Sequence, residues 1–282
     1  MQKIGKPRHK YLVFTCAGDR SNIRTWLEGN RNFDLWVTYY GDEEGRYSEV
    51  ADFYNARKGK KFPNLHHVYR NWFDILDHYE AIFVADDDIV INGAEISMLF
   101  EFREQHNLWI LQPAFDPRGK ITHYITRMRP WLFMRYTNFV EVTCPLFRKD
   151  KLDQFMEVYD PELVGWGVDW WFLEVLGRDL QGHVAIIDAI SCINPHDRDK
   201  GRQKETDEPQ YARYRRENQG IIWKQVRSRY NIRSEKRGFK TYGSVNSWTR
   251  VENRVLMFLR LAILSCIRRL QKVGLSRKKL RE

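Results

Sequence analysis

Three consecutive carboxylates, Asp86, Asp87 and Asp88, follow the apolar residues 81–85 and precede three more apolar residues. Three acids cannot share one place as bare charges without a cation or solvent. Because successive residues of an extended chain point to opposite sides, Asp86 and Asp88 can face one space while Asp87 points elsewhere. Carboxylate oxygens suit Mg²⁺ and Mn²⁺, so the pattern favours a metal site. A solvated acidic junction between a strand and a loop is the alternative.

Asp169 is the second residue whose surroundings predict chemistry. It follows Gly165 and Gly167, which permit a tight turn, and the apolar spacing after it predicts a helix. An acid in the first turn of a helix is favoured in its ionised form by the helix dipole. An ionised, positioned carboxylate among aromatic residues is what a general base needs. An acid that merely caps the helix is the alternative.

A histidine and a basic cluster are further candidates for the same site. His196 lies just past a predicted strand over residues 184–190, so it is a plausible third metal ligand, although a lone histidine is more often structural. Residues 57–61 place four cations around Gly59. Lys58 and Lys61 could therefore hold a diphosphate, and a solvated basic loop is the commoner alternative.

The apolar patterns that must position these residues alternate between strands and helices, which predicts an α/β fold. We expect strands over residues 10–19, 33–40, 64–69, 81–91, 108–113, 139–147 and 184–190. We expect helices over residues 21–27, 72–79, 93–105, 151–158 and 221–230, the third opened by a capping box at Asn92 and Glu95. The loop after the first strand is then a natural nucleotide cradle. It contains neither a Gly-x-Gly-x-x-Gly nor a P-loop pattern, which disfavours dinucleotide binding and a Walker-type ATPase.

Composition and charge divide the chain into an acidic body and a basic end. The 282 residues are 43% apolar and 14% aromatic, as expected of a folded protein. Four scattered cysteines and a polar N-terminus favour free thiols in a reducing compartment. Residues 200–282 contain 23 Lys and Arg against 7 Asp and Glu, whereas residues 1–199 contain 24 against 30. The basic end suits a polyanion such as an anionic lipid surface.

We expect three segments: a catalytic domain over 1–200, a charged loop or linker over 201–250, and a basic amphipathic helix over 251–282. The apolar run of this predicted helix is too short to span a bilayer. It could lie in the plane of a membrane, pack on the body or form a dimer contact. Nucleic acid is disfavoured because the basic residues accompany an amphipathic helix and no known reading motif. The oligomeric state is open.

The ordered motifs resemble a known class of enzymes. An Asp-x-Asp after an apolar strand, a Gly-Trp-Gly-x-Asp helix start and a late histidine resemble the GT-A class of nucleotide-sugar glycosyltransferases. Over roughly residues 10–197 the chain looks like a family of plants and bacteria known as domain of unknown function 707. The matching stretches are residues 85–88, 111–117, 139–142 and 165–169. The last is also similar to the acidic motif of inverting galactosyltransferases, but Trp170 and Trp171 stand where that motif has further acids.

The resemblance implies a Rossmann-like, mixed and mostly parallel sheet flanked by helices, with a C-terminal helical extension. It also implies metal-dependent transfer of a sugar to a hydroxyl of a carbohydrate or glycolipid, with inversion. Asp86 and Asp88 would hold Mn²⁺ or Mg²⁺, with His196 completing the shell. Asp169 would remove the proton from the acceptor. The expected donor contacts are Thr15, Ala17, Asp19, Lys58, Lys61 and Asp87, and the expected acceptor region contains Trp166 and Trp170.

Two other functional classes use the same residues differently. A metal-dependent nucleotidyltransferase or phosphohydrolase would use the same acids, but no Gly-rich phosphate loop or second clear metal cluster supports it. A non-catalytic, membrane-associated binding protein would keep a transferase-like body and bind through its basic end. The lead hypothesis places the protein in the cytoplasm, with peripheral attachment to the cytoplasmic membrane face as an option.

Overall fold

The computed structural model describes residues 2–177, 179–196, 218–233 and 238–246. The strands in these ranges are β1 (Gln2–Ile4), β2 (Tyr11–Ala17), β3 (Phe33–Tyr39), β4 (Phe53–Ala56), β5 (Ala81–Asp86), β6 (Ile110–Phe115), β7 (Leu132–Thr137), β8 (Leu146–Arg148), β9 (Val184–Cys192) and β10 (Thr241–Asn246). The helices are α1 (Lys61–Asn71), α2 (Phe73–Leu76), α3 (Gly93–Gln105), α4 (Lys149–Val158), α5 (Val168–Val175) and α6 (Gln219–Arg229). The predicted helical segment 251–282 lies outside the described residues, as does part of the predicted linker 201–250.

The described strands form one sheet in the order β1-β4-β3-β2-β5-β8-β6-β9-β7-β10. This mixed sheet with helices on both faces confirms the predicted α/β class. The parallel pairs concentrate in one block, which runs from β4 through β3 and β2 to β5. In such a block the carboxyl ends of all strands lie at one edge, and the loops that follow them meet there. The acidic triplet at the end of β5 therefore lies beside the loop that follows β2.

The sheet separates two apolar cores, because alternate residues of each strand face opposite sides. Leu12 and Phe14 face one core, which α1, α4 and α5 cover, whereas Tyr11 and Val13 face the other, which α3 covers. Both β2 and β3 are buried along their whole length. Burial on both faces explains why these strands read as unbroken apolar runs.

The other half of the sheet is largely antiparallel. Strand β8 lies between β5 and β6 and runs antiparallel to both. The antiparallel direction brings the residues before β8 alongside the carboxyl end of β5, where the Asp86 N–H donates to the Thr143 carbonyl at 2.9 Å. Strands β7 and β10 complete the sheet beyond β9, again antiparallel. The region before β8 is thus part of the edge that holds the acidic triplet.

Local sequence signals account for several helix boundaries. Helix α3 begins with the predicted capping box, in which the Asn92 and Glu95 side chains each accept from the other's backbone N–H. Helix α5 begins after Gly167, whose φ of 98° is left-handed. An added Cβ at this position would lie 2.6 Å from one atom of the Trp223 ring. Glycine is therefore required both by the left-handed φ and by the closeness of this ring. None of the helices in the described ranges is long and apolar enough to cross a membrane.

Four secondary-structure predictions were wrong, and a fifth, the strand over residues 81–91, ends at Asp86, where the chain turns. Residues 64–69 belong to α1, because Pro63 fits the first turn of a helix and Leu65, Val68 and Tyr69 face the core at helical spacing. Residues 21–27 contain only a 3₁₀ turn, Thr25–Leu27.

The other two errors concern strands. Within residues 139–147, only Leu146 and Phe147 belong to a strand, β8, which begins after Pro145. Proline lacks the N–H that a paired strand requires, which explains the late start. Residues 241–246, placed in the linker, form β10 against β7.

Candidate active site

The three residues of the acidic triplet have different neighbours. Asp86 is 44% exposed, and its Oδ1 lies 2.8 Å from the Lys61 ammonium. Asp87 is buried, and its Oδ2 accepts a hydrogen bond of 2.9 Å from the Gly18 N–H. The Asp88 carbonyl accepts from the Asn22 side chain at 2.6 Å. The triplet therefore fastens the loop after β2 to the end of β5 and leaves Asp86 facing the edge of the sheet.

Asp87 and three of the predicted donor contacts lie in or against the loop after β2. Asp87 holds the Gly18 backbone, which is a different role from the predicted contact with the donor sugar. Thr15 and Ala17 are fully buried, and the Thr15 hydroxyl donates to the Ala85 carbonyl at 2.9 Å. Asp19 is half-buried and accepts from the Tyr39 hydroxyl, which lowers the pKa of Asp19. Of these four, Asp19 is the side chain nearest solvent at the mouth of the site.

The two predicted diphosphate contacts, Lys58 and Lys61, occupy opposite environments. Lys58 is 64% exposed and pairs with Asp42 at the rim of the same edge. Lys61 is 9% exposed, at the start of α1. Its ammonium donates to the carbonyls of Thr143 at 2.7 Å, Val142 at 2.8 Å and Val84 at 3.3 Å, as well as pairing with Asp86. Because an ammonium has three N–H groups, these four acceptors already use them all.

Glu141 is a buried acid that the sequence did not single out. Its Oε1 accepts from the Thr143 hydroxyl at 2.8 Å, and its backbone N–H donates to the Gln112 side chain at 2.5 Å. Burial raises the pKa of Glu141 to about 7, the Thr143 hydrogen bond opposes this, and the nearby Asp86 charge adds to it. Glu141 is therefore poised between its charged and neutral forms near neutral pH.

Asp169 lies at the start of α5, where the sequence placed it, and is 3% exposed. Its Oδ1 accepts a 2.9 Å hydrogen bond from the Trp170 N–H. Burial, together with the nearby Glu141 charge, raises the pKa of Asp169 to about 7, although the N–H groups of Trp170 and Val142 oppose the rise. A carboxyl with this pKa can accept a proton at neutral pH, as the base hypothesis requires.

Residues 141–143, hereafter the linking segment, join the two groups of acids. Its Val142 N–H supports Asp169, and its Thr143 carbonyl accepts from the Asp86 backbone. The Val142 and Thr143 carbonyls also bind the Lys61 ammonium. The structure thus brings Asp86, Glu141 and Asp169 into one hydrogen-bonded region, although they are far apart in sequence.

An aromatic wall adjoins Asp169. Trp170 packs on Phe139 with ring centres 4.8 Å apart and stacks on Phe239 at 5.5 Å. His123 contacts both phenylalanines. Trp166, the other predicted acceptor residue, is 51% exposed and packs edge-on against Trp223. Trp170 itself is buried, as is Phe139, so only Trp166 and Phe239 provide exposed apolar surface of the kind that sugar rings contact.

The described residues contain no group of three or more His, Cys, Asp and Glu side chains arranged to hold a metal ion. Asp86, Asp88 and His196 are thus not gathered into a three-ligand site; His196 lies beyond the end of β9, and Asp86 faces Lys61. Magnesium sites commonly use one or two carboxylates together with substrate phosphates and water. The oxygen donors of Asp86 and Asp88 fit a metal that is bound together with a diphosphate.

The signals for the additional residues were present but ambiguous. Glu141 lies in a segment that the sequence assigned to a strand, and nothing local indicates that its charge lies near Asp169. Lys61 belongs to a basic run that is typical of a solvated loop. Its burial depends on the approach of the linking segment, more than 80 residues later in the chain. Only the folded chain shows both.

Comparison with known proteins finds similarity only among solved structures. No family model matches the sequence, and no curated protein matches it. The structure of S. aureus TarS 1-349 in complex with UDP-GlcNAc has a TM-score of 0.45 and 12% identity, and the match covers 70% of this chain and 60% of TarS 1-349. A longer TarS structure has a TM-score of 0.45 and 10% identity over 68% of this chain.

A third similar structure is a protein from Desulfovibrio desulfuricans that is described as a nucleotide-diphospho-sugar transferase. Its TM-score is 0.40 and its identity is 15%, over 76% of this chain and 97% of the other. This chain spans 37% to 62% of the length of the TarS structures. Similarity at these levels supports no conclusion about activity. Membership of the domain of unknown function 707 stays a prediction.

Proposed function

We propose that this protein is a metal-dependent glycosyltransferase of the GT-A kind, which moves a sugar from a nucleotide-sugar donor to a hydroxyl acceptor with inversion. The observation that carries the proposal is the linking segment. Through it, the acidic edge at Asp86 and the buried carboxyl of Asp169 belong to one hydrogen-bonded region. Displacement at a sugar carbon needs a site for the departing diphosphate and a base for the incoming hydroxyl. The acidic edge at Asp86 is the candidate for the first, and Asp169 is the candidate for the second.

The donor side of the proposed site is the edge formed by the acidic triplet and the loop after β2. Asp87 fixes the Gly18 backbone, so the loop is held in one position before a nucleotide arrives. Asp86 and Asp88 would hold Mn²⁺ or Mg²⁺, which when bound offsets charge on the departing diphosphate. Asp19 and Lys58 lie at the mouth of this edge and are the side chains best placed to contact the nucleotide.

The acceptor side is the region around Asp169. Its carboxylate takes the proton from the acceptor hydroxyl while the oxygen of that hydroxyl forms a bond to the anomeric carbon and the bond to the diphosphate breaks. Attack from the side opposite the leaving group inverts the carbon. The aromatic wall, with exposed Trp166 nearby, excludes water from the carboxyl and offers apolar surface to a carbohydrate or glycolipid. Attachment to an anionic membrane through residues 251–282 stays a prediction outside the described residues.

Turnover by an Asp169→Asn variant tests the base assignment. Asparagine keeps an oxygen for the Trp170 N–H but cannot accept the proton, so we expect the transfer rate to fall by about 10²–10⁴-fold. The matched control is Glu162→Gln, which makes the same change at an exposed acid and should leave the rate unchanged. The measurement is release of nucleoside diphosphate from a panel of nucleotide-sugars with candidate acceptors. An Asp169→Asn variant with full activity would remove the assignment.

The same assay separates the proposal from its main alternative. A glycosyltransferase releases a little free sugar from one nucleotide-sugar even when no acceptor is added, because water can replace the acceptor slowly. A phosphohydrolase, with water, or a nucleotidyltransferase, with added pyrophosphate, instead cleaves within the diphosphate and releases a sugar phosphate. Mass analysis of the sugar product decides between them, and sugar phosphate as the main product would contradict the proposal.

A further inference from the structure

Lys61 is a cation built into the acidic edge. It is 9% exposed, and its ammonium lies 2.8 Å from Asp86 Oδ1, within reach of three backbone carbonyls. Two of these carbonyls belong to the linking segment. A lysine ammonium that is buried among carbonyls and one carboxylate is held by the fold and is not a mobile surface charge. The predicted role of Lys61 as a diphosphate contact therefore does not describe its position.

The position of Lys61 bears directly on metal binding at Asp86. A divalent cation and an ammonium that share one carboxylate repel each other strongly, because the site is partly shielded from water. The described residues also provide no third protein ligand at this place. Asp86 and Asp88 alone, with a fixed positive charge beside one of them, form a weak metal site. The two or more negative charges of a nucleoside diphosphate would outweigh the Lys61 charge, so that the metal binds more tightly.

We propose that Lys61 is a built-in counter-ion of Asp86 that makes divalent-metal binding conditional on the nucleoside diphosphate. This inference rests on the proposed function, because it takes the acidic edge as the place where metal and diphosphate bind. Lys61 stabilises the acidic edge while no ligand is bound, so the three acids need no metal to be held together. The metal then binds with the nucleotide, and by linkage each raises the affinity for the other by the same factor.

The test measures Mn²⁺ binding directly, by the loss of the free-ion signal in electron paramagnetic resonance, with and without nucleotide. The nucleotide is taken from UDP, GDP, CDP and dTDP, each added at saturation. For the unchanged protein we expect a nucleotide to raise Mn²⁺ affinity by about tenfold or more. For Lys61→Gln we expect Mn²⁺ to bind about tenfold more tightly without nucleotide, so that the nucleotide adds less. Glutamine keeps N–H groups for the carbonyls but removes the charge.

The matched control is Lys149→Gln, which removes an equally buried ammonium that pairs with Asp153 in α4, beside the residue that precedes β5 and so at the end of that strand opposite the acidic triplet. It should leave Mn²⁺ affinity without nucleotide near that of the unchanged protein. Equal Mn²⁺ affinity with and without nucleotide in the unchanged protein would overturn the inference even if Lys61→Gln does not fold. An unchanged Mn²⁺ affinity in a folded Lys61→Gln variant would also overturn it. If no nucleoside diphosphate binds under any condition, the proposed function itself fails.

Discussion

Two ion pairs with a buried cation lie in different halves of the molecule, and they differ in how completely protein groups surround their carboxylates. Arg135 on β7 and Asp188 on β9 are 0% exposed, and the guanidinium binds both carboxylate oxygens at 2.7 and 3.0 Å. The same guanidinium also donates to the carbonyls of Ile125 and Arg127. Lys61 is similarly buried, but its partner Asp86 is 44% exposed.

This difference separates a structural ion pair from a candidate functional one. The Arg135 and Asp188 pair fastens the chain over residues 125–129 to two strands, and the Arg129 N–H adds a third contact to Asp188. Every polar group there has a protein partner, so nothing remains for a ligand. At Asp86 the carboxylate faces the edge of the sheet, and the buried carboxyl of Glu141 lies near it. A carboxylate that is only partly paired and is partly exposed to solvent is typical of a binding site.

The largest expected effect on stability comes from breaking the structural pair. Arg135→Met leaves Asp188 buried and without its cation, so we expect the free energy of unfolding to fall by about 3–5 kcal/mol. Lys61→Gln should cost less, because water can reach Asp86. The measurement is urea denaturation of both variants. Arg24→Ala, which breaks an exposed pair with Glu49, should change stability by less than about 1 kcal/mol. A larger loss for Lys61→Gln than for Arg135→Met would contradict the comparison.

Asp169→Asn should stabilise the fold at high pH. Folding raises the pKa of Asp169 from 3.8 to about 7. Between about pH 4 and pH 7 the folded state therefore holds a proton that the unfolded state has released, and the free energy of unfolding falls as the pH rises through this window. At pH 8 we expect the free energy of unfolding of Asp169→Asn to be about 2–4 kcal/mol higher than that of the unchanged protein. The measurement is urea denaturation at pH 5 and pH 8.

The two pH values provide an internal control, since the stability difference should be smaller at pH 5, where Asp169 already holds its proton in the folded state. Glu162→Gln, the exposed counterpart, should show no such dependence. In Asp169→Asn the free energy of unfolding should still fall to some extent as the pH rises, because folding also raises the pKa of Glu141. A variant less stable than the unchanged protein at pH 8 would show that the Asp169 carboxylate is stabilised by partners and is not strained by burial.

The smallest expected effect is a shift of the pH profile in Glu141→Gln. The Glu141 charge raises the pKa of Asp169, so its removal lowers that pKa. The rising limb of kcat/KM against pH should therefore move to lower pH, while the Thr143 hydroxyl can still donate to the amide oxygen. Glu157→Gln, at an exposed acid of α4, is the control and should leave the limb in place. An unchanged limb in Glu141→Gln would remove Glu141 from the site.

Local patterns predicted the parts of this molecule that depend on neighbours in sequence. The buried runs of β2, β3 and β5, the capping box of α3 and the helix start at Asp169 were all visible as residue types at fixed spacing. Residues 64–69 were misassigned because a run of six residues is too short for its apolar positions to distinguish a strand from a helix. Only the helical packing of Leu65, Val68 and Tyr69 on the core separates the two.

The candidate site was predicted less completely than the fold, because its chemistry depends on distant contacts. Asp86 and Asp169 were identified by local motifs, but the linking segment that joins them is not readable from sequence. Likewise, the sequence does not distinguish Lys61 from the other three cations of residues 57–61. Only the fold shows that the carbonyls of Val142 and Thr143 contact its ammonium. Charges whose partners come from remote segments have no local signature.

Thermal unfolding with nucleoside diphosphates tests the central claim most directly. With Mn²⁺ present and each of UDP, GDP, CDP and dTDP at about 100 times its Kd, we expect at least one to stabilise the fold by about 2.7 kcal/mol, seen as a rise in Tm of several degrees. The Mn²⁺-dependent part of this rise should disappear in Asp88→Ala. No rise with any nucleotide, or the same rise in Asp88→Ala, would contradict the assignment of this edge as a nucleotide-sugar site.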